Sequence, residues 1–353
     1  MTPSAFPSFL WRALLALCLV CLGCCTGWLA PPLAQAQTTA PPDAPRPAEP
    51  GKPAPQQQEA PPLGPTTSPA ENRTPLFRSQ VNLVSVYATV TDNNGAPFSE
   101  LRKEDFVVTE DGHAEKVAIF EKESERPLSI IVAMDASQSV RKDLKLELDS
   151  ARRFIASILR PVDSISLYQF SEVVKELVPF TSDFQRLERG IRNVRIGAGT
   201  ALYDALYLAG QSLSRRQGRK VMVVITDGGD TVSTTDFATA VRAAQEAESI
   251  VYSIIMVPIV ADAGRNVAGE HALIEISRQT GGKYYYADTP QGLDDAFQRI
   301  SRELRMQYLL AYYPSRRVAG GDFRRIDIKI ASPAAPAGLT VHNRAGYFTS
   351  KLE

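Results

Sequence analysis

The chain has 353 residues, enough for about two domains, and its 39 basic and 39 acidic residues cancel. That balance leaves no electrostatic footprint for nucleic acid or an acidic membrane surface. The three histidines, His113, His271 and His342, are scattered without ligand spacing, which argues against a zinc centre and against Ser/His nucleophilic catalysis.

All four cysteines, Cys18, Cys21, Cys24 and Cys25, fall inside the apolar segment Ala13–Ala30, where they read as small apolar residues. Arg12 precedes that segment and the small-residue triplet Ala34-Gln35-Ala36 follows it, the layout of a secretory signal peptide cut after Ala36. Residues 1–36 are therefore expected to be removed, and the mature chain to be cysteine-free and exported to a periplasmic, envelope or secreted location. An uncleaved anchor and a lipidated Cys24 are the alternatives, and a membrane is a partner only under those two. Residues 37–75 are proline-dense without aliphatic periodicity, which predicts an extended solvated tether.

Strand signals begin next. "VNLVSVYATVTD" (Val81–Asp92) alternates apolar with polar residues and ends at Asn93-Asn94-Gly95, as a half-buried strand followed by a turn should. Phe106–Thr109 and Lys116–Phe120 flank Asp111-Gly112, which predicts a hairpin between them. From Pro127 to Arg305 short apolar runs alternate with helical patterns, the mark of a doubly wound, mostly parallel sheet. "LSIIVAMD", "SISLYQF", "KVMVVIT", "IVYSIIM" and "GGKYYYA" are the strands, with "VVKELVPF" as an antiparallel edge. Leu144, Leu148, Ala151, Ile155 and Ile158 recur at steps of three and four, one buried helix face. Further helices are expected over Phe184–Val194, Leu202–Arg215, Phe237–Glu248, His271–Thr280 and Leu293–Arg305.

"QYLLAYYP", "FRRIDIKI" and "LTVHNRAGYF" close the chain with three more strand-like runs. Neither terminal group has enough strands to cover an apolar face alone. Residues 76–126 and 306–353 are thus expected to pair as one small β-sandwich, into which the α/β unit of residues 127–305 is inserted. Arg215, Arg216, Arg219 and Lys220 read as a solvated helix end, and Tyr284, Tyr285 and Tyr286 as a half-buried strand.

In an open parallel sheet, ligands bind outside the carboxyl ends of the strands. Asp135 ends the first apolar strand, with Ser137 and Ser139 at alternate positions after it, and Asp227 follows "VVIT" at the same edge. Thr200 lies in the glycine-flanked loop "GAGTALYDAL". Helix capping explains one polar group after the first strand but leaves two without a task. Two carboxylates and three hydroxyls converging there offer oxygen ligands alone, which suit a hard divalent cation. With only two negative charges among them, such a cation stays electrophilic toward a carboxylate from outside.

At these residues the resemblance is to the von Willebrand factor A-type domain, a Rossmann-like fold, with "DASQS", the threonine of "GAGT" and the aspartate of "ITDGGD" matching its complete metal-ion-dependent adhesion site. The flanking "FVVTEDGHAEKVAIF" and "YLLAYYPS…FRRIDIKI…AGYF" resemble an exported bacterial subfamily in which strands from both ends accompany the domain. By that resemblance Asp135, Ser137 and Ser139 bind the metal, Thr200 joins when ligand engages, and Asp227 contacts it directly or through water. Mg²⁺ is the expected ion, with Mn²⁺ or Ca²⁺ as alternatives. Ala198 takes a place that is often glycine in the family, and Asp204 and Asp230 stand outside its core motif and read as loop or helix-start residues.

Three functions follow in order. The first is an exported, non-enzymatic adhesion module whose Mg²⁺ captures an Asp or Glu of a protein partner. The second is a structural or assembly subunit of the cell envelope with a stabilising metal. The third is a metal-assisted hydrolase, which lacks a histidine or glutamate placed as general base, a phosphate-binding loop and a dinucleotide fingerprint. No small-molecule substrate is evident.

Overall fold

The computed structural model describes residues 83–122, 126–142, 144–257, 266–316 and 320–349. The expected signal peptide and proline-rich tether lie outside the described residues. In chain order the strands and helices are β1 (Val84–Thr91), β2 (Phe106–Glu110), β3 (His113–Glu115), β4 (Val117–Lys122), β5 (Leu128–Asp135), α1 (Leu144–Ile158), β6 (Ser164–Phe170), β7 (Val174–Thr181), α2 (Phe184–Ile191) and α3 (Leu202–Ser214). They continue with β8 (Arg219–Thr226), α4 (Phe237–Glu246), β9 (Ser249–Met256), α5 (Val267–Thr280), β10 (Tyr284–Ala287), α6 (Pro290–Arg305), β11 (Tyr308–Tyr312), β12 (Phe323–Ile330), β13 (Thr340–Asn343) and β14 (Gly346–Phe348).

The middle of the chain forms a six-stranded sheet in the order β10-β9-β8-β5-β6-β7, parallel except for the antiparallel edge strand β7. β5 is buried along its whole length, as a strand covered on both faces must be. Ile130, Val132 and Met134 face α1, α2 and α6, whereas Ile131 and Ala133 face α3, α4 and α5. The period-two alternation of a strand thus supplies two cores. Caps fix the helix starts: Asp183 for α2, Asp236 for α4, Asn266 for α5 and Thr289 ahead of Pro290 for α6. Two of those caps begin α5 and α6 earlier than the apolar periodicity suggests, because Val267 and Ala268 of α5 are exposed and Pro290-Gln291-Gly292 of α6 adds no residue to the apolar stripe.

The terminal strands form two four-stranded sheets, β13-β1-β11-β4 and β14-β12-β2-β3, each with strands from both ends of the chain. They share one core, in which Val86, Ala88 and Val90 of β1 and Leu310 of β11 meet Phe106, Val108, Ile326 and Ile328 of the other sheet. Two details differ from the sequence expectation. Asp111-Gly112 does make the turn, with both residues at positive φ, but across it β2 pairs with the short β3 alone, its other edge being taken by β12, while Lys116–Phe120 enters the opposite sheet beside β11. Val117 gains its burial there, in the shared core. "LTVHNRAGYF" likewise divides, since β13 pairs with β1 and β14 with β12. The chain changes sheets at Arg344, whose guanidinium binds Glu248 Oε1 (2.8 Å) and Ser85 O (2.9 Å).

The sandwich packs at the end of the parallel sheet where strands begin. Arg219, the first residue of β8, is 2% exposed and donates to Leu304 O (2.5 Å) and to Gln307 Oε1 (3.2 Å). It is therefore not part of a solvated helix end, and burial lowers its pKa to about 10. Arg216 also departs from that reading, bonding Ser129 and Ser164 and lying over the Phe180 ring. Tyr284 and Tyr286 of β10 are exposed, whereas Tyr285 turns inward to Glu303.

Candidate functional site

The opposite end of the sheet, where strands finish, carries the candidate site. β5 lies between β6 and β8; the chain leaves β5 toward α1 on one face and leaves β8 toward α4 on the other. That divergence opens a crevice at the switch point of a doubly wound sheet. Parallel register sets Asp135 level with Phe170 and, through the Met134–Ile225 pair, beside Thr226.

Asp135 is fully buried. Its Oδ1 accepts from the Ser137 amide (2.8 Å) and its Oδ2 from the Thr226 hydroxyl (2.6 Å), whose oxygen in turn accepts from the Gly228 amide (3.1 Å). The Ser137 and Ser139 hydroxyls lie 2.8 Å apart, and Ser139 hydrogen-bonds the Asp227 carboxylate. Four of the five candidate residues thus form one hydrogen-bonded chain across two loops. Thr200 stands on a third loop, between α2 and α3, held to both others: Gly197 N donates to Ala136 O (2.7 Å) and Thr231 N to Thr200 O (2.9 Å). Thr200 itself is buried, and its amide donates to Thr231 Oγ1 (2.9 Å).

Burial drives the electrostatics. It pushes Asp135 up from 3.8 to about 6, with the neighbouring Asp227 charge adding to the rise and the Thr226 and Ser137 hydrogen bonds opposing it. Asp227 is raised for the same first reason, opposed by Ser139. Among the described side chains, no cationic group accounts for either carboxylate, and no cluster of three or more His, Cys, Asp or Glu is present. Two sequestered like charges, surrounded by hydroxyls, are what a hard divalent cation relieves. Asp135 accepts two hydrogen bonds and a carboxylate has about four lone-pair sites, so ligating capacity remains. The donor set fits the cation.

Several residues that serve this arrangement escape motif reading. Thr226 was legible in principle, because aligning two parallel apolar runs by their ends puts it beside Asp135. Glu172, just past β6, accepts the Ala198 amide (2.6 Å) and gives no local signal. Asp204 and Asp230 prove to be clamps. Asp230 accepts from the Tyr203 amide (3.1 Å) and the Ser233 amide (3.2 Å), and Asp204 from the Thr234 and Thr235 amides (3.1 and 2.8 Å). Together they tie the loop after Asp227 to the start of α3. Burial pulls the Asp204 pKa upward, but the Thr234 and Thr235 hydrogen bonds hold it below the usual range.

Residues 130–229 match the family model of the von Willebrand factor type A domain, so the chain carries such a domain. Among solved structures, the conserved protein BatB from Bacteroides thetaiotaomicron is 22% identical with a TM-score of 0.40, covering 50% of this chain and 98% of that one. The vWF domain of the type V pili tip protein Mfa5 from Porphyromonas gingivalis is 15% identical with a TM-score of 0.41, covering 50% and 94%. A von Willebrand factor type A protein from Catenulispora acidiphila is 13% identical with a TM-score of 0.44, covering 78% and 76%. No curated protein matches the chain.

Proposed function

We propose that this von Willebrand factor type A domain belongs to an exported binding module, which holds Mg²⁺ at Asp135, Ser137, Ser139, Thr200 and Asp227 and captures an Asp or Glu side chain of a partner protein. The observation that carries the reading is the convergence of three loops on the buried Asp135 and the half-buried Asp227, with hydroxyls between them and burial raising the pKa of both. When bound, the cation supplies a Lewis-acidic position for one outside carboxylate oxygen. The chain's own residues do the rest. Thr226 and the Ser137 amide orient Asp135, Ser139 orients Asp227, and Asp204 and Asp230 fix the loop that backs Thr200. The reading assigns no reaction to these residues.

Export follows from the leader-like residues 1–36 and is part of the proposal. Among the described residues, no helix is long and apolar enough to cross a membrane. Calorimetric titration with Mg²⁺, paired with capture from envelope extract in Mg²⁺ or EDTA, tests the function. Metal uptake that survives Asp135→Ala overturns the site. Partner capture that is indifferent to EDTA overturns the adhesion mechanism in favour of a structural role.

A further inference from the structure

Four of the segments bordering the site each carry one exposed aliphatic side chain. Val173 is 47% exposed in the tight turn after β6, Ile196 36% in the loop before Thr200, Val232 46% in the loop after Asp227, and Val267 69% at the start of α5. An exposed valine alone means little. These four, however, stand on segments that are stitched into one surface.

The stitching can be followed residue by residue. Glu172, next to Val173, accepts the Ala198 amide and so joins that turn to the loop of Ile196. Gly197, next to Ile196, donates to Ala136 O and holds the same loop against the end of β5. The amide of Val232 donates to Thr200 O (3.4 Å), beside the stronger bond from Thr231. Gly229 sits at φ 95°, and a Cβ there would lie 1.8 Å from Asn266 Nδ2; only glycine lets the loop after Asp227 close on the residue preceding Val267.

Among the described residues, the charged groups on these four segments are engaged. Glu172 binds an amide, Arg195 donates to Arg192 O and Val194 O (2.8 and 2.9 Å), and Asp230 binds two amides and the Ser233 hydroxyl. What these four described segments offer a visitor is aliphatic surface beside a charged centre. A side chain that reaches the centre lays its neighbouring residues on that surface.

We propose that Val173, Ile196, Val232 and Val267 form an aliphatic collar that selects a protein partner whose captured acidic residue is flanked by aliphatic side chains. The inference rests on the carboxylate capture proposed above and adds the chemistry of the flanking residues. The driving force is removal of apolar surface from water on both partners. A carboxylate in a polar or charged context would leave the collar wet.

The test uses the full chain and three cyclic peptides of one ring size, displaying Leu-Glu-Leu, Ser-Glu-Ser or Leu-Gln-Leu at the turn, with binding measured in Mg²⁺ and in EDTA. Leu-Glu-Leu should bind at least tenfold more tightly than Ser-Glu-Ser in Mg²⁺, and Val232→Ser with Val267→Ser should erase that preference while leaving calorimetric Mg²⁺ uptake unchanged. If the double variant unfolds, the single change Val267→Ser, at the most exposed position, should at least halve the preference. Equal binding of the two glutamate peptides, or a preference untouched by the collar variants, overturns the collar and leaves metal-dependent capture standing. Equal binding of Leu-Gln-Leu and Leu-Glu-Leu, indifference to EDTA, or no binding by any peptide at millimolar concentration overturns both.

Discussion

Replacing Asp135 by Asn should stabilise the metal-free protein while removing its response to Mg²⁺. The isosteric amide can keep its Oδ1 on the Ser137 amide and donate from Nδ2 to the Thr226 oxygen, so the change removes charge with little loss of packing. Burial holds the carboxyl at about 6 instead of 3.8, which at about 1.4 kcal/mol per pH unit is a penalty of about 3 kcal/mol for the ionised folded state near neutral pH. A carboxyl raised by folding contributes most below its unfolded pKa, and that contribution is lost as pH rises through about 6. Allowing about 1 kcal/mol for the weakened Thr226 bond, the variant should gain about 2 kcal/mol at pH 7 in EDTA. For a folded unit of this size that is about 4–8 °C in Tm. Saturating Mg²⁺ at about 100 times Kd should stabilise the wild type by about 2.7 kcal/mol and the variant not at all. Differential scanning calorimetry of both proteins, in EDTA and in Mg²⁺, reads all four states. A variant that melts below wild type in EDTA at pH 7 refutes the burial argument, and one that Mg²⁺ stabilises as much as wild type refutes the metal assignment.

Three further outcomes are expected. Burial, helped by the Lys283 charge, lowers the His342 pKa from 6.5 to about 4; the unfolded chain is protonated first, so stability should fall between pH 6.5 and 4 by about 1–2 kcal/mol after discounting partial exposure, and denaturation of His342→Gln across that range should show a flatter profile. In the sandwich, Arg324 and Glu110 form a buried ion pair beside the Tyr312 and Tyr347 hydroxyls, so Arg324→Met should cost about 3–5 kcal/mol by leaving Glu110 uncompensated, measured by urea denaturation; a loss under 1 kcal/mol would refute the ion-pair argument. Asp230→Ala should release the Tyr203 and Ser233 amides, seen as faster hydrogen exchange there and a cost of about 1–3 kcal/mol; unchanged exchange would mean that the loop holds itself.

The doubly wound sheet was legible because its signals are local. Fully apolar runs such as Val221–Ile225 can be satisfied only between two layers of helices, and "VVKELVPF", with Lys175, Glu176 and Pro179, announces an edge strand that must not pair further. The sandwich was legible only in outline. Which strand β4 joins is settled not by the Asp111-Gly112 turn but by whether Val117 is buried beside β2 or beside β11, nearly two hundred residues later in the chain. Arg219 failed for the same reason: next to Arg215 and Arg216 it reads as surface, and only the distant Leu304 carbonyl and Gln307 give it a buried partner.

The candidate site divides along a similar line. Asp135, Ser137 and Ser139 are adjacent in sequence, and the strand-end rule brings Asp227 to them without any knowledge of packing. Thr200 is different, because no strand carries it to the sheet edge. The loop of Thr200 keeps its place through bonds to Ala136, Glu172 and Thr231, on three segments that the sequence separates. A polar residue whose partner is a backbone amide leaves no complementary residue type in the sequence to be noticed. This is why Asp204, Asp230 and Glu172 look like ordinary loop and helix-start residues until the fold sets amides in front of them. The same physics separates the proposed ligands from their supports here. Asp135 and Asp227 are held by few protein donors and are pushed toward protonation by burial, whereas Asp204 spends its lone pairs on amides and hydroxyls and is held below the usual carboxylate range. Capacity for an outside cation therefore rests with the carboxylates that the protein itself leaves least satisfied.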